Sequence, residues 1–206
     1  MTSFGLIKER KNPPDRRVVL SPEACQLLKD EHIGIDFKIE PSDIRVFSDA
    51  QYQEKGLTLS NEMETCDVLL GVKEVPIADL IPNKSYFFFS HTIKKQAYNR
   101  SLLQAVLEKN ITLYDHEVIT NTLGQRLVAF GRYAGLVGGY NAIRTYGLKQ
   151  QLFSLPKAND LKDLEALVAQ LREVRLPANT KIVLTGNGRV GNGASEILDA
   201  MGLIKV

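Results

Sequence analysis

A membrane-length apolar run, a surplus of one charge and a cysteine framework are all missing from this chain of 206 residues. The longest uncharged stretch, residues 133–143, is glycine-rich and falls well short of the ~20 apolar residues a spanning helix needs, which excludes such a span. With 26 basic and 24 acidic residues the net charge is +2, so no global field selects nucleic acid or a membrane surface. Small-molecule partners are expected instead, with a homo-oligomer left open. Cys25 and Cys66 neither cluster nor stand at metal-ligand spacing from the histidines, which argues against a metal site. No secretory leader precedes Phe4, and the expected setting is reducing and cytoplasmic.

The length suits one domain of ~100–200 residues plus part of another. Residues 68–95 organise the first. Two apolar runs, VLLGVKEVP and SYFFFSHTIKK, end in Lys73 and His91, and an amphipathic stretch fits between them, which reads as a βαβ unit. Parallel strands bring their carboxyl ends to one edge, where ligands of open α/β sheets bind. An amine and an imidazole converging there suggest proton-transfer chemistry.

Residues 3–8 read as a first strand, and the basic, proline-interrupted loop KERKNPPDRR follows it. Such a loop can hold a substrate carboxylate, Arg doing so through a bidentate fork; a merely solvated loop is the alternative. Ser21, Pro22 and Glu23 start a helix, with His32 as its C-terminal residue, and residues 34–40 form the next strand. Ser48 and Gln51 have capping-box spacing, with Gly56 as the stop. A crossover helix is expected over 97–109, with Leu102, Leu103, Val106 and Leu107 on one face. Strand 111–114 then runs into Asp115-His116-Glu117; Glu117 is a candidate partner for a cationic substrate or for Lys73, and His116 reads as structural or exposed.

A hairpin turn at 121–125 precedes a helix over 130–146 in which Gly131, Ala134, Gly135, Gly138, Gly139 and Ala142 form a small-residue stripe. Interior Gly costs a helix ~1 kcal/mol against Ala, so close approach of another backbone is expected to offset it. After a linker at 148–159 comes a helix over 161–174. The organisation expected is a substrate and catalytic domain over 1–150, a linker and helix over 151–179, and the start of a nucleotide-binding domain over 180–206. In that last part the strand 182–184 enters Gly186-Asn187-Gly188-Arg189-Val190-Gly191 and a helix follows, the context that makes GxGxxG a dinucleotide fingerprint. Gly186 permits the tight turn, Gly188 admits a pyrophosphate, and Gly191 lets the helix pack on the strand. The acidic ribose-binding residue is expected ~20 residues past the first glycine, at or beyond Val206, so the chain reads as the front half of a longer protein that is inactive alone.

The order of RVVLSP (17–22), GVKEVP (71–76), FFSHTIK (88–94), LYDHE (113–117), AFGRYAG (129–135) and the late GxGxxG resembles the alanine dehydrogenase, transhydrogenase and saccharopine dehydrogenase superfamily. SHTIK and the YDxE plus AFGxxAG pair resemble the branch of lysine-forming saccharopine dehydrogenase and lysine–2-oxoglutarate reductase. The resemblance implies a Rossmann-like α/β substrate domain with a parallel sheet, followed by a second, dinucleotide-binding Rossmann domain that takes NAD or NADP. It implies an oxidoreductase of CH–NH bonds that interconverts saccharopine with lysine plus 2-oxoglutarate. By that pattern Lys73 and His91 divide the acid and base roles, Arg17 binds a substrate carboxylate, and Glu74 and Glu117 tune the pair or hold the substrate ammonium. A further basic residue of the family loop falls on Lys11 or on Asn12. Alanine dehydrogenase and a non-catalytic amino-acid-binding domain are the alternatives.

Overall fold

The computed structural model describes residues 2–204. Their contacts divide the chain into two compact units, residues 1–128 and 129–206.

In the first unit, six strands form one sheet in the order β3-β2-β1-β4-β5-β6. They are β1 (Thr2–Leu6), β2 (Ile35–Ile39), β3 (Thr58–Leu59), β4 (Val68–Lys73), β5 (Ser85–Phe89) and β6 (Thr112–Asp115), and every pairing is parallel. The order reverses between β1 and β4, the topological switch point of a Rossmann-like fold. Helices α1 (Pro22–Glu31), α2 (Asp49–Glu54) and α3 (Arg100–Glu108) pack on this sheet. Ser21 caps α1 by accepting from the Ala24 N–H, and the capping box of Ser48 and Gln51 opens α2 as its spacing predicts. Leu6, Phe37 and Ile39 bury against Cys25 and Tyr52, while Leu69, Tyr86 and Phe88 bury against Leu102 and Val106.

Several boundaries differ from the sequence reading. β1 ends at Leu6, because the Lys8 N–H donates to the Glu40 carboxylate (2.9 Å) and not to a strand. Between β4 and β5 there is only a 3-10 turn at Ile77–Asp79: Pro76 and Pro82 bracket a run too short for the amphipathic helix expected. On α3 the buried residues are Leu102, Ala105 and Val106, leaving Leu103 and Leu107 exposed. The hairpin over 118–128 reduces to a single antiparallel bridge, Thr120 with Arg126.

The second unit is helical, with α4 (Gly131–Gln150), α5 (Leu164–Arg172) and α6 (Arg189–Ala200). The glycine stripe of α4 meets α6 at backbone contact. A Cβ on Gly135 would lie 2.0 Å from the Val190 carbonyl oxygen, and one on Gly193 of α6 would lie 2.1 Å from that of Arg132. Leu136, Tyr140 and Ile143 of α4 bury against Leu167, Leu171 and Ile197. This packing places residues 129–150 in the second unit, whereas the sequence reading grouped them with the first. Residues 182–184 form no strand, and Val183 is 86% exposed. A parallel strand needs a neighbour, and among the described residues this unit supplies none. Of the second strand expected over 203–206, Leu203 and Ile204 are not in a strand, and Lys205 and Val206 lie outside the described residues.

Two alanine substitutions on α4 separate contact from propensity. Gly135→Ala is expected to destabilise by about 2 kcal/mol or more, because its methyl meets rigid backbone. Gly138→Ala, with nothing within 4 Å, is expected to stabilise by up to ~1 kcal/mol. Urea unfolding of both variants, followed by circular dichroism, checks the contrast.

Candidate active site

Strand ends and the loop after β1 assemble a polar edge on the first unit. Lys73 closes β4 and pairs in register with Phe89, the last residue of β5 and two positions before His91. The register shifts between Leu70 and Lys73, a bulge that leaves backbone groups of β4 without ladder partners. Side chains replace those partners. Val72 N–H donates to Glu9 Oε1 (2.7 Å) and Lys73 N–H to Glu9 Oε2 (2.9 Å). The Gly71 carbonyl accepts from His116 Nε2 (3.0 Å). Burial raises the Glu9 pKa above the usual carboxylate range, against the two N–H bonds and the charge of Arg17, which lower it.

The charged groups beside Lys73 are paired. Arg17 Nε donates to Asp15 Oδ1 (2.9 Å), and this bond above all holds the Asp15 carboxyl below its ordinary range. Lys11 pairs with Glu74. Burial pushes Glu74 up, but the hydrogen bond and charge of Lys11 bring it down on balance, while Glu74 Oε2 is buried without a hydrogen bond. Among the described residues, Lys73 has no ion-pair or hydrogen-bond partner for its ammonium, although Asp15 and Glu74 both feel its charge.

His91 stands in the left-handed region (φ 57°), held there as the Asn99 side-chain amide donates to its carbonyl (3.2 Å). Its Nδ1 lies 2.9 Å from Glu117 Oε2. A carboxylate only accepts, so Nδ1 carries the proton toward Glu117, and in the neutral ring the lone pair is then on Nε2. Lys94 Nζ, 3.1 Å from the same Nδ1, is satisfied by Glu117 Oε1, also at 3.1 Å. The bond from His91, then that from Lys94, hold the Glu117 carboxyl below its ordinary range despite the opposing effect of burial. Arg126 adds a second cation, after Lys94, at 3.6 Å. Buried Asp115 fixes this arrangement by accepting from Ser90 Oγ (2.5 Å) and from the Glu117 N–H (2.8 Å).

The structure thus brings His91 and Glu117 together, and Glu117 engages His91 where a direct partnership with Lys73 was one expectation. Arg17 and Glu74 lie on the same edge. Glu9, Asp15, Lys94 and Asp115 escaped sequence reasoning; Glu9 and Asp15 sit in a loop whose cations drew attention, and only contacts give the acids a role. His116 is buried and structural, its ring beside Phe87 and Phe89.

On the second unit, Gly186 has φ +89° and Gly188 is the N-cap of α6 with open space at its Cβ position. A Cβ on Gly191 would meet the Gly186 carbonyl oxygen at 2.1 Å. The loop thus leads into a helix N-terminus that Arg189 and Val190 open, without the strand before it that the sequence reading expected.

A parallel sheet whose strand order reverses between β1 and β4 defines a Rossmann-like α/β domain. Residues 5–137 match the family "Alanine dehydrogenase/PNT, N-terminal domain", and the chain belongs to that family. The chain is 31% identical, over 94% of its length, to alpha-aminoadipic semialdehyde synthase of Arabidopsis thaliana, and covers 20% of that protein. It is 32% identical, over 96%, to the mitochondrial enzyme of that name from Rattus norvegicus, covering 23%. To saccharopine dehydrogenase [NAD(+), L-lysine-forming] of Yarrowia lipolytica it is 27% identical over 96%, covering 57%. Among solved structures, an L-alanine dehydrogenase matches 97% of this chain, which covers 53% of that chain, with a TM-score of 0.61 at 17% identity. A transhydrogenase from Sinorhizobium meliloti matches 70%, with 44% of its own chain covered, and a TM-score of 0.56 at 20% identity. Such likeness shows the fold. Among the described residues no helix is long and apolar enough to cross a membrane.

Burial holds the His116 pKa below its ordinary value, so the unfolded chain takes up this proton first as pH falls. The stability that neutral His116 contributes is complete above ~6.5 and is lost progressively below it, by up to ~1.4 kcal/mol per pH unit, until the folded pKa is passed. Urea unfolding between pH 7 and pH 5 is expected to show that slope, and His116→Gln to flatten it.

Proposed function

We propose that this chain is the N-terminal part of an NAD(P)-dependent oxidoreductase acting on CH–NH bonds, which interconverts saccharopine with lysine plus 2-oxoglutarate. The observation that carries the reading is the unpartnered ammonium of Lys73 on an edge where the neighbouring charges are paired. The relatives named as saccharopine dehydrogenase supply the choice of substrate.

In this reading unit 1 handles the amino acids. Arg17, held by Asp15, binds a carboxylate of the substrate through its guanidinium. Lys73 in its neutral form accepts a proton from the secondary amine of saccharopine as that nitrogen becomes an imine. His91, oriented by Glu117, takes a proton at Nε2 from the water that attacks the imine carbon, and protons return to the lysine nitrogen as the C–N bond breaks. Glu74, whose Oε2 is buried without a partner, receives the substrate ammonium. On unit 2, Gly186, Gly188, Arg189, Val190 and Gly191 would hold the pyrophosphate of NAD or NADP. Such a cofactor would supply hydride acceptance at the carbon that becomes the imine.

In the intact longer protein, oxidation of NADH or NADPH is expected only when lysine and 2-oxoglutarate are both present, and residues 1–206 alone are expected to give no measurable turnover. Lys73→Met is expected to lower turnover by about 10²–10⁴-fold, the usual contribution of a positioned acid or base. Steady-state absorbance assays decide: unchanged turnover in Lys73→Met, or turnover with pyruvate and ammonia but none with lysine, would reject this assignment.

A further inference from the structure

The acid–base role proposed for Lys73 leaves open what aims it. Lys73 is the last residue of β4 and follows a bulge, and the sheet pairs it only on one side, with Phe89 of β5. β1, the neighbour across the switch point, has already stopped at Leu6. From that point one side chain takes over the ladder. The Glu9 carboxylate accepts from the N–H of Val72 and of Lys73, so both of its oxygens are committed to the backbone of the bulged end. The same carboxylate lines a cavity of about 10 Å³ with Arg17, Val18, Val19 and Arg45, and it feels the charges of Asp15 and Arg17. Glu9 therefore both accepts from the Lys73 N–H and lines the cavity that Arg17 borders.

We propose that Glu9 is the positioning residue of this edge, setting the backbone from which Lys73 projects and holding it in register with Arg17. The inference rests on the function proposed above for Lys73, but it makes a local geometric claim that can be measured without turnover. A carboxylate suits the task because it offers two acceptors to two adjacent donors. Glutamine offers one acceptor and turns an amide donor toward an N–H, so one of the two bonds is lost. Aspartate keeps both acceptors on a shorter stem.

The test is competitive acetylation of the chain's lysines with acetic anhydride, read residue by residue by mass spectrometry across pH, with and without 2-oxoglutarate. In Glu9→Gln, Lys73 is expected to react about tenfold faster than in the wild type, the factor carried by one charge-assisted hydrogen bond. Its pH profile should shift as well, while Lys55 and Lys149 keep their wild-type rates. Protection of Lys73 by 2-oxoglutarate should weaken by a similar factor, and Glu9→Asp should fall between the two. Wild-type rate and profile at Lys73 in Glu9→Gln would overturn the proposal, and so would equal acceleration at all lysines, which marks a general loss of stability. If Glu9→Gln does not fold, Glu9→Asp decides alone: a wild-type Lys73 profile overturns the proposal and an accelerated one supports it. Acceleration at Lys73 without any protection by 2-oxoglutarate in the wild type would sustain Glu9 and count against the function proposed for the site.

Discussion

The first unit depends on how the bulged end of β4 disposes of its backbone polar groups. A bulge at a sheet's carboxyl edge interrupts the ladder, and buried N–H and C=O groups left unpaired are costly. Here the loop after β1 returns Glu9 to two of the donors, and the turn after β6 returns His116 to the Gly71 carbonyl. β1, β4 and β6 are thereby tied together at the edge that carries Lys73. The loop is short on regular structure yet determined in position, because its carboxylate closes hydrogen bonds that the sheet cannot.

Charge distribution along that edge follows a consistent rule. Each group suited to binding or orienting is anchored by an opposite charge: Arg17 by Asp15, Glu74 by Lys11, and Glu117 by Lys94 and Arg126, with a hydrogen bond from His91 besides. Anchored charges keep their ionised forms, as the lowered Asp15, Glu74 and Glu117 pKa values express. Among the described residues, Lys73 alone of this group has its ammonium without an ion-pair or hydrogen-bond partner.

The second unit solves a different problem with a different device. Gly135 and Gly193 bring α4 and α6 together at backbone distance, and Tyr140 and Ile143 then bury against Ile197 below them. The same α6 begins at the Gly-rich loop, so the glycine packing that holds α6 on α4 also sets the direction in which the helix N-terminus points.

Local signals were legible along most of the chain. The caps at Ser21 and Ser48, the apolar runs of β4 and β5, the close-approach glycines of α4 and the tight turn at Gly186 are encoded within a few residues, since each reflects a backbone requirement of that stretch alone. The parallel α/β class followed from those runs, and the ionisable ends of three strands followed from parallel geometry. Only the tertiary structure decided that Glu117 serves His91, that Asp15 holds Arg17, that Glu9 closes the bulge and that residues 182–184 form no strand. Those outcomes depend on partners such as Glu9 and Lys73, 64 positions apart, and a carboxylate's spacing along the chain does not say which donor it will meet. A strand likewise exists only where a neighbour accepts its hydrogen bonds, a condition that no stretch of sequence states about itself.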